Sequence, residues 1–171
     1  MKDLERIYKD NFIKVYRYIL SISGDEMLAE EITQETFYRA MRSLKDFRED
    51  CSVATWLCTI GRNLFYDSLT RRSRSDSAIE EMGRHGRAEA PGGSEESAEQ
   101  SYMRREKAEE ISQVIRDLDD PYGEVLALRL YSELSFGEIG RIFGKSDSWA
   151  RVVYHRGRLK AREELRDENQ V

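Results

Sequence analysis

A polar stretch in the middle of the 171-residue chain constrains its fold more than any other feature. Residues 73–100 are rich in serine, glycine and charge, and no Phe, Trp or Tyr occurs between Tyr66 and Tyr102. Because such a segment has little to bury, it predicts a flexible linker. Fully extended at ~3.3 Å per residue it could span about 90 Å, which would let the flanking halves occupy separate sites. The chain is therefore predicted to form two small domains, residues 1–72 and 101–171.

Both halves are predicted to be helical. Two prolines, abundant Glu, Arg, Leu and Ala, and few alternating apolar runs favour an all-α fold. The N-terminal helices are predicted over residues 4–21, 26–44 and 53–72, with Gly24 ending the first and Asp25 capping the second. The C-terminal helices are predicted over residues 102–117, 121–131, 136–143 and 147–165.

The C-terminal half carries a helix-turn-helix signature. Ser135 and Glu138 are spaced as a capping box, and Gly144 stands where a left-handed helix end is needed. Ser146 or Asp147 can then cap the last helix. A short helix, a glycine-led turn and a basic helix together predict a helix-turn-helix that binds duplex DNA.

The net charge of −5 conceals a strong segregation of charge along this half. Residues 106–140 carry nine acids and three bases, whereas residues 141–162 carry seven bases and one acid. A local basic patch attracts a phosphate backbone whatever the total charge, although a solvated basic helix face is the alternative. Arg151, His155, Arg158 and Arg162 recur at helical spacing, which predicts guanine contacts near the helix start and phosphate contacts beyond.

The last N-terminal helix has the composition of a single-strand binding surface. Aromatic rings, amides and arginines are what unstacked bases and their phosphates need. The alternative is an amphipathic core helix with a basic end. The residues concerned are Trp56, Arg62, Asn63, Phe65, Tyr66, Arg71 and Arg72.

Enzymatic chemistry has little support in the sequence. His85 and His155 are the only histidines, and no metal-ligand cluster, phosphate-cradling loop or nucleophile elbow occurs, so no metal or cofactor is expected. Cys51 and Cys58 are interpreted as two unrelated reduced thiols rather than a redox pair. No apolar stretch approaches the ~20 residues of a membrane span, and the start lacks the apolar core of a signal peptide. The protein is therefore expected in the cytoplasm, without membrane insertion.

Three sets of motifs resemble the extracytoplasmic-function (ECF) sigma factors of bacterial RNA polymerase. Residues 29–37 are similar to the second helix of that family, and Trp56-Leu57 with Ile60-Gly61-Arg62-Asn63 to its next helix. Pro121, Val125-Leu126, Ser135-Phe136 and Gly144-Lys145-Ser146 follow the order of the family's C-terminal domain. Each motif is weak alone, but three in the correct order are specific.

The resemblance implies a partner for each surface. The second helix would dock on the clamp coiled coil of the largest subunit of core RNA polymerase through Glu31, Gln34, Glu35 and Arg39. Promoter DNA would be read twice, and the linker would run toward the polymerase active-site cleft. An anti-sigma factor would hold the protein inactive.

The two promoter elements would meet different residues. A base flipped from the minus-ten strand would enter a pocket whose rim is Arg48, Glu49, Asp50, Cys51 and Ser52. The melted strand would lie along Trp56, Arg62, Asn63, Tyr66 and Arg71. The minus-thirty-five duplex would be read by Arg129, Lys145, Ser148, Arg151, His155, Arg156 and Arg158.

The sequence also departs from the family pattern and leaves alternatives open. Gly157 replaces an alanine on the recognition helix and is expected to weaken it by about 0.5–1 kcal/mol. One rival interpretation is a stand-alone helix-turn-helix regulator whose N-terminal half senses a signal or dimerises. Another is a redox-sensing regulator that uses Cys51 and Cys58.

Overall fold

The structure is a computed structural model, and it describes residues 4–75 and 98–168. Within these ranges the chain forms α-helices and one short 3-10 turn, without strands, which confirms the all-α fold. The N-terminal helices are α1 (Leu4–Ser23), α2 (Glu26–Ser43) and α3 (Val53–Ser75), with the 3-10 turn at Leu44–Asp46. The C-terminal helices are α4 (Ala98–Asp117), α5 (Tyr122–Tyr131), α6 (Phe136–Phe143) and α7 (Asp147–Glu168).

The first three helices all pack against one another around an apolar core. Val15, Ile19 and Leu57 are fully buried there. The turn between α1 and α2 has the predicted chemistry: Gly24 adopts a φ of 65°, and the Asp25 carboxylate accepts the backbone N–H of Leu28 at 3.0 Å. The predicted N-terminal helices are confirmed, with ends that differ by one to three residues.

The helices on either side of the predicted linker extend into it by three residues each. Residues 73–75 continue α3, and residues 98–100 already belong to α4. Nothing in Ser73-Arg74-Ser75 interrupts a helix, and Ala98-Glu99-Gln100 are good helix formers. The rest of the predicted linker lies outside the described residues.

The helix-turn-helix is confirmed, and its capping is local. The Ser135 hydroxyl accepts the Glu138 N–H at 3.2 Å, while the Glu138 carboxylate accepts the Ser135 N–H at 2.7 Å. Gly144 ends α6 with a φ of 65°. The Ser146 hydroxyl accepts the Trp149 N–H at 3.1 Å, so Ser146 caps α7. Since each bond joins residues three apart, the sequence was enough to predict them.

Glycine allows α7 to lie close to α5. A Cβ added at Gly157 would come within 3.3 Å of Leu126 and 3.4 Å of Tyr122. Gly157 was expected only to weaken the recognition helix, but it also permits this close approach. An alanine at this position would require Leu126 or Tyr122 to shift by a few tenths of an ångström.

The two halves pack against each other. Helix α1 lies against α4 and α5, and α3 lies against α6. The sequence predicted two halves free to separate and indicated no contact between them. None of the helices in the described ranges is both long and apolar enough to cross a membrane.

Candidate polymerase and nucleic-acid interfaces

Helix α2 presents a polar face to solvent. Glu31, Gln34 and Arg39 are exposed, and Glu35 is half-buried and bonded to the Arg39 Nε at 2.7 Å. The opposite face of α2 fills the core between α1 and α3. Among the described residues, α2 packs against no helix of the C-terminal half. The predicted polymerase-binding residues therefore lie together on an accessible surface.

The loop before α3 contains the predicted base-pocket rim. Arg48 and Asp50 are exposed. The Ser52 hydroxyl accepts the Thr55 N–H at 3.1 Å and thereby caps α3. The Trp56 ring stacks on Phe47, with centroids 4.6 Å apart and planes at 27°. Ser52 and Trp56 thus hold the loop against α3, whereas Arg48 and Asp50 point outward.

A buried carboxylate connects the halves through side chains of α1 and α3. Glu124 of α5 is 4% exposed, and its Oε1 accepts the Tyr18 hydroxyl at 2.6 Å and the Arg62 Nε at 2.8 Å. Its Oε2 accepts the Tyr66 hydroxyl at 3.1 Å and an Arg62 Nη at 3.3 Å. We call Tyr18, Arg62, Tyr66 and Glu124 the Glu124 cluster. Two residues predicted to bind the minus-ten strand are therefore engaged by the other half of the chain.

The protonation states in the Glu124 cluster suit these bonds. Burial, and then the negative charge of Glu124, raise the pKa of Tyr18 well above its ordinary value, and they raise the pKa of Tyr66 in the same way. Burial alone would lower the pKa of Arg62, but the bonds to Glu124 raise it. Both hydroxyls therefore stay protonated donors, and the guanidinium stays charged.

Helix α3 keeps part of its predicted surface open. The Arg62 guanidinium lies between the rings of Tyr66 and Phe143, 4.9 and 4.7 Å from their centroids. Asn63 and Asp67 are exposed and line, with Arg62 and Tyr66, an open polar cleft of about 580 Å³. Arg71 is also exposed farther along α3.

Sequence reasoning missed Tyr18 and Glu124. Tyr18 lies on the apolar face of α1 and reads as an ordinary core residue. Glu124 did give a signal, because a carboxylate inside the apolar run of α5 must find partners when the run is buried. Those partners lie 58 to 106 positions away in the chain and could not be named from sequence.

Further contacts join the same two halves around the Glu124 cluster. A guanidinium nitrogen of Arg141 donates to the carbonyl oxygen of Asp50. The Thr55 hydroxyl donates to Glu138 at 3.1 Å, and Lys14 pairs with Glu133 at 2.6 Å on the rim. Helix α6 and the turn before it thereby approach the loop that precedes α3.

Neither cysteine readily loses its proton to form a thiolate. Cys58 is fully buried and donates to the Ser132 hydroxyl across the interface at 3.4 Å. Burial raises the pKa of the Cys58 thiol to about 11. Burial, and then the charge of Asp50, raise the pKa of Cys51 as well. Because thiolates react and thiols do not, these environments do not favour the redox-sensing alternative.

The recognition helix α7 presents its basic face to solvent. The exposed residues of the predicted minus-thirty-five set are Lys145, Ser148, Arg151, His155, Arg156 and Arg158. Arg129 differs, because its guanidinium donates to the Leu134 carbonyl at 2.7 Å and lies over the Phe136 ring at 4.6 Å. Arg129 thus braces the connection from α5 to α6.

The sequence matches known proteins over nearly its whole length. Residues 7–75 match the family described as Sigma-70 region 2. The chain is 33% identical to the ECF RNA polymerase sigma factor SigW of Bacillus subtilis (strain 168), over 96% of this chain and 88% of the relative. It is 29% identical to the RNA polymerase sigma factor YlaC of the same strain, over 95% of this chain and 91% of the relative.

Two solved structures share the arrangement of helices. The sigma factor RpoE, in co-crystals with the anti-sigma factor NepR from Bartonella quintana, matches with a TM-score of 0.74 at 21% identity, over 97% of this chain and 98% of that one. CnrH, in complex with the cytosolic domain of CnrY, matches with a TM-score of 0.68 at 19% identity, over 96% of this chain and 88% of that one. These likenesses show a shared fold that includes both halves.

A Sigma-70 region 2 joined to a helix-turn-helix defines a sigma factor of bacterial RNA polymerase. The chain belongs to the ECF family of these factors, as the identity and coverage of the SigW match show. The family predicted from the motifs is confirmed, and so is the function: the protein directs core RNA polymerase to promoters and assists promoter melting. The stand-alone regulator loses its support, because residues 7–75 are a Sigma-70 region 2 rather than a sensing domain.

Proposed function

We propose that the chain divides promoter recognition among three separate surfaces. One observation carries the proposal: the polar residues assigned to polymerase and to duplex DNA lie on exposed faces of α2 and α7, while the opposite faces of these helices are buried. Since a polar side chain on such a face has no role in the core, it is available to a partner.

The first surface would bind core polymerase. Glu31, Gln34, Glu35 and Arg39 form a mixed-charge patch on one side of α2 that fits the clamp coiled coil of the largest subunit. The Glu35–Arg39 ion pair orders part of this patch. Exposed pairs of this kind add little stability but fix the geometry presented to a partner.

The second surface would hold the melted minus-ten strand. Arg48 and Asp50 would contact a flipped base at the mouth of the loop, with Trp56 and Ser52 supporting that loop from behind. Arg62, Asn63, Tyr66 and Arg71 run along α3 beside the polar cleft and would bind the strand that follows. Rings and guanidinium groups in this order suit stacking and phosphate contacts.

The third surface would read the minus-thirty-five duplex. The N-terminal part of α7, with Ser148 and Arg151, would enter the major groove, and Lys145, His155, Arg156 and Arg158 would contact the backbone. Arg129 would act by bracing the turn rather than by touching DNA.

The proposed setting follows from this division of labour. A factor that works on RNA polymerase works in the bacterial cytoplasm and needs no enzymatic activity, metal or cofactor of its own. RpoE of Bartonella quintana binds an anti-sigma factor, and we expect one here too.

Run-off transcription with purified core polymerase tests the proposal. The protein should yield transcripts with defined starts from a genomic fragment library, and no transcript from any fragment would refute it. Glu31→Lys should reduce binding to core polymerase at least about ten-fold, since it places a like charge in a charge-complementary contact. Glu106→Lys makes the same change on an exposed part of α4 and should leave polymerase binding unchanged.

A further inference from the structure

We propose that the Glu124 cluster is an intramolecular lock that keeps the minus-ten surface from binding DNA until the two halves separate. The inference rests on the proposed role of Arg62 and Tyr66 in strand binding. It assigns to Glu124 a regulatory role within the chain.

The hydrogen bonds of Glu124 can form only while the two halves are packed together. Its carboxylate is buried, yet every side-chain donor that bonds it in the described part of the chain comes from α1 or α3. A buried charge is tolerated only while such partners stay in place. When the halves part, Glu124 returns to water and Arg62 and Tyr66 are released together.

The carboxylate also competes directly with the proposed ligand. Arg62 directs two N–H groups at the two oxygens of Glu124, which is how a guanidinium binds a phosphate. The Tyr66 hydroxyl is taken by the same carboxylate, and Phe143 of α6 covers the Arg62 face that Tyr66 leaves open. A DNA strand and the Glu124 carboxylate cannot use these groups at the same time.

The packed state leaves the other two surfaces free. The polar face of α2 and the basic face of α7 are exposed while the halves are in contact. The protein can therefore meet polymerase or duplex DNA before the strand-binding surface opens. The lock acts on one step of recognition and not on the others.

The spacing of the promoter elements requires the lock to open. Elements near minus ten and minus thirty-five are about 25 base pairs apart, or roughly 85 Å at ~3.4 Å per pair. A compact chain of this length has a radius of gyration of about 16 Å and so a diameter near 40 Å. The halves must separate before both elements can be bound, and that separation breaks the Glu124 cluster.

Glu124→Gln tests the lock, because it removes the charge and keeps the shape. Glu133→Gln is the matched control: it makes the same change in the exposed Lys14–Glu133 pair of the same interface. Opening is measured by the alkylation rate of Cys58 in a Cys51→Ser background. We expect Glu124→Gln to raise that rate about ten-fold, as loss of charge-assisted hydrogen bonds implies, and the control to stay within two-fold.

Strand binding is measured without the Cys51→Ser change. The probe is a fluorescent oligonucleotide with the non-template strand of a promoter found by run-off transcription. Glu124→Gln should bind it about ten-fold more tightly than the unchanged protein does. Tyr18→Phe removes one hydrogen-bond donor to Glu124 and lies outside the strand surface. It should therefore also raise Cys58 alkylation and tighten strand binding. This variant replaces Glu124→Gln in both measurements if Glu124→Gln does not fold.

The outcomes separate the two proposals. Unchanged Cys58 alkylation in both Glu124→Gln and Tyr18→Phe would overturn the lock, and so would faster alkylation with unchanged strand binding. Arg62→Ala tests the strand surface itself: if it transcribes as the unchanged protein does, the proposed role of Arg62 fails. Because alkylation needs no DNA, it reports the opening of the halves in either case.

Discussion

The two helices that we propose to read DNA present their candidate residues in opposite ways. On α7 the basic side chains of Arg151, Arg156 and Arg158 are exposed. On α3 the central arginine and tyrosine are tied to a carboxylate of the other half. Arg151 pairs with Asp147 one turn away and lies over the Phe136 ring, but both side chains of that ion pair are more than half exposed, so the proposed duplex-reading surface stays accessible to DNA. The proposed strand-reading surface includes Arg62 and Tyr66, which also bond to Glu124, so we expect its availability to depend on the arrangement of the halves.

The largest effect is expected when the two halves are joined covalently, because this should block the α3 surface and leave the α7 surface unchanged. Ser132→Cys, in a Cys51→Ser background, places a second thiol beside Cys58, where the present side-chain atoms are 3.4 Å apart. Oxidation with copper phenanthroline should form a disulfide between positions 58 and 132. Strand binding should then fall at least about ten-fold and return on reduction, while duplex binding through α7 should not change.

Mass spectrometry and fluorescence anisotropy check these outcomes. The Cys51→Ser protein with Ser132 intact is the control and should show no response to oxidation. Failure of the disulfide to form would contradict the packed arrangement in solution. Equal loss of duplex binding would contradict the independence of the two readers.

A second test distinguishes the proposed DNA contact of Arg151 from the structural role of Arg129 within the C-terminal half. Arg151→Ala should weaken duplex binding by about 1–3 kcal/mol with little change in stability, because its guanidinium is more than half exposed and its surface ion pair with Asp147 adds little stability. Arg129→Ala should lower the free energy of unfolding by about 1–2 kcal/mol, since it leaves the Leu134 carbonyl without its bond. Anisotropy on a mapped promoter duplex and urea unfolding measure the two effects. Loss of stability in Arg151→Ala together with loss of duplex binding in Arg129→Ala would contradict the roles assigned to these arginines.

The smallest expected effect is a pH dependence at the contact between the halves. Burial alone would raise the pKa of Glu138, but hydrogen bonds from Ser52, Ser135 and Thr55 lower it. The stabilisation from Glu138 should therefore be complete above its unfolded pKa and be lost as the pH falls through its folded one.

Thermal unfolding at pH 6 and pH 4 measures this effect. The unchanged protein should lose slightly more stability than Glu138→Gln over that interval, by less than about 1 kcal/mol because the group is partly exposed. Equal losses in the two proteins would show that Glu138 adds nothing through its charge.

The sequence predictions were correct where a feature depends on residues close together in the chain. The ends of α6 and the start of α7 depend on bonds between neighbours such as Ser135 and Glu138, and they were correctly predicted. The exposed faces of α2 and α7 follow from helical periodicity, so the candidate residues on them could be chosen. The family's motifs supplied what each face would bind.

The remaining features depend on contacts between distant parts of the chain. Tyr18 and Glu124 are 106 positions apart, and only the folded arrangement brings them together. Ser52 was chosen for DNA, but its hydroxyl caps α3, because the same oxygen can serve either purpose. Arg129 is predicted from the family resemblance to bind the minus-thirty-five duplex, yet its guanidinium donates to the Leu134 carbonyl and lies over the Phe136 ring.

Two carboxylates at the contact between the halves differ in how freely they can change over evolution. Glu138 accepts a bond from Thr55 across the contact and also closes the capping box that starts α6. A substitution at Glu138 would change how readily the two halves separate and would also destabilise the helix-turn-helix. In the described chain Glu124 bonds only side chains of the opposite half. Selection could therefore use position 124 to set how readily related factors open, without changing the promoter element that we propose α7 reads.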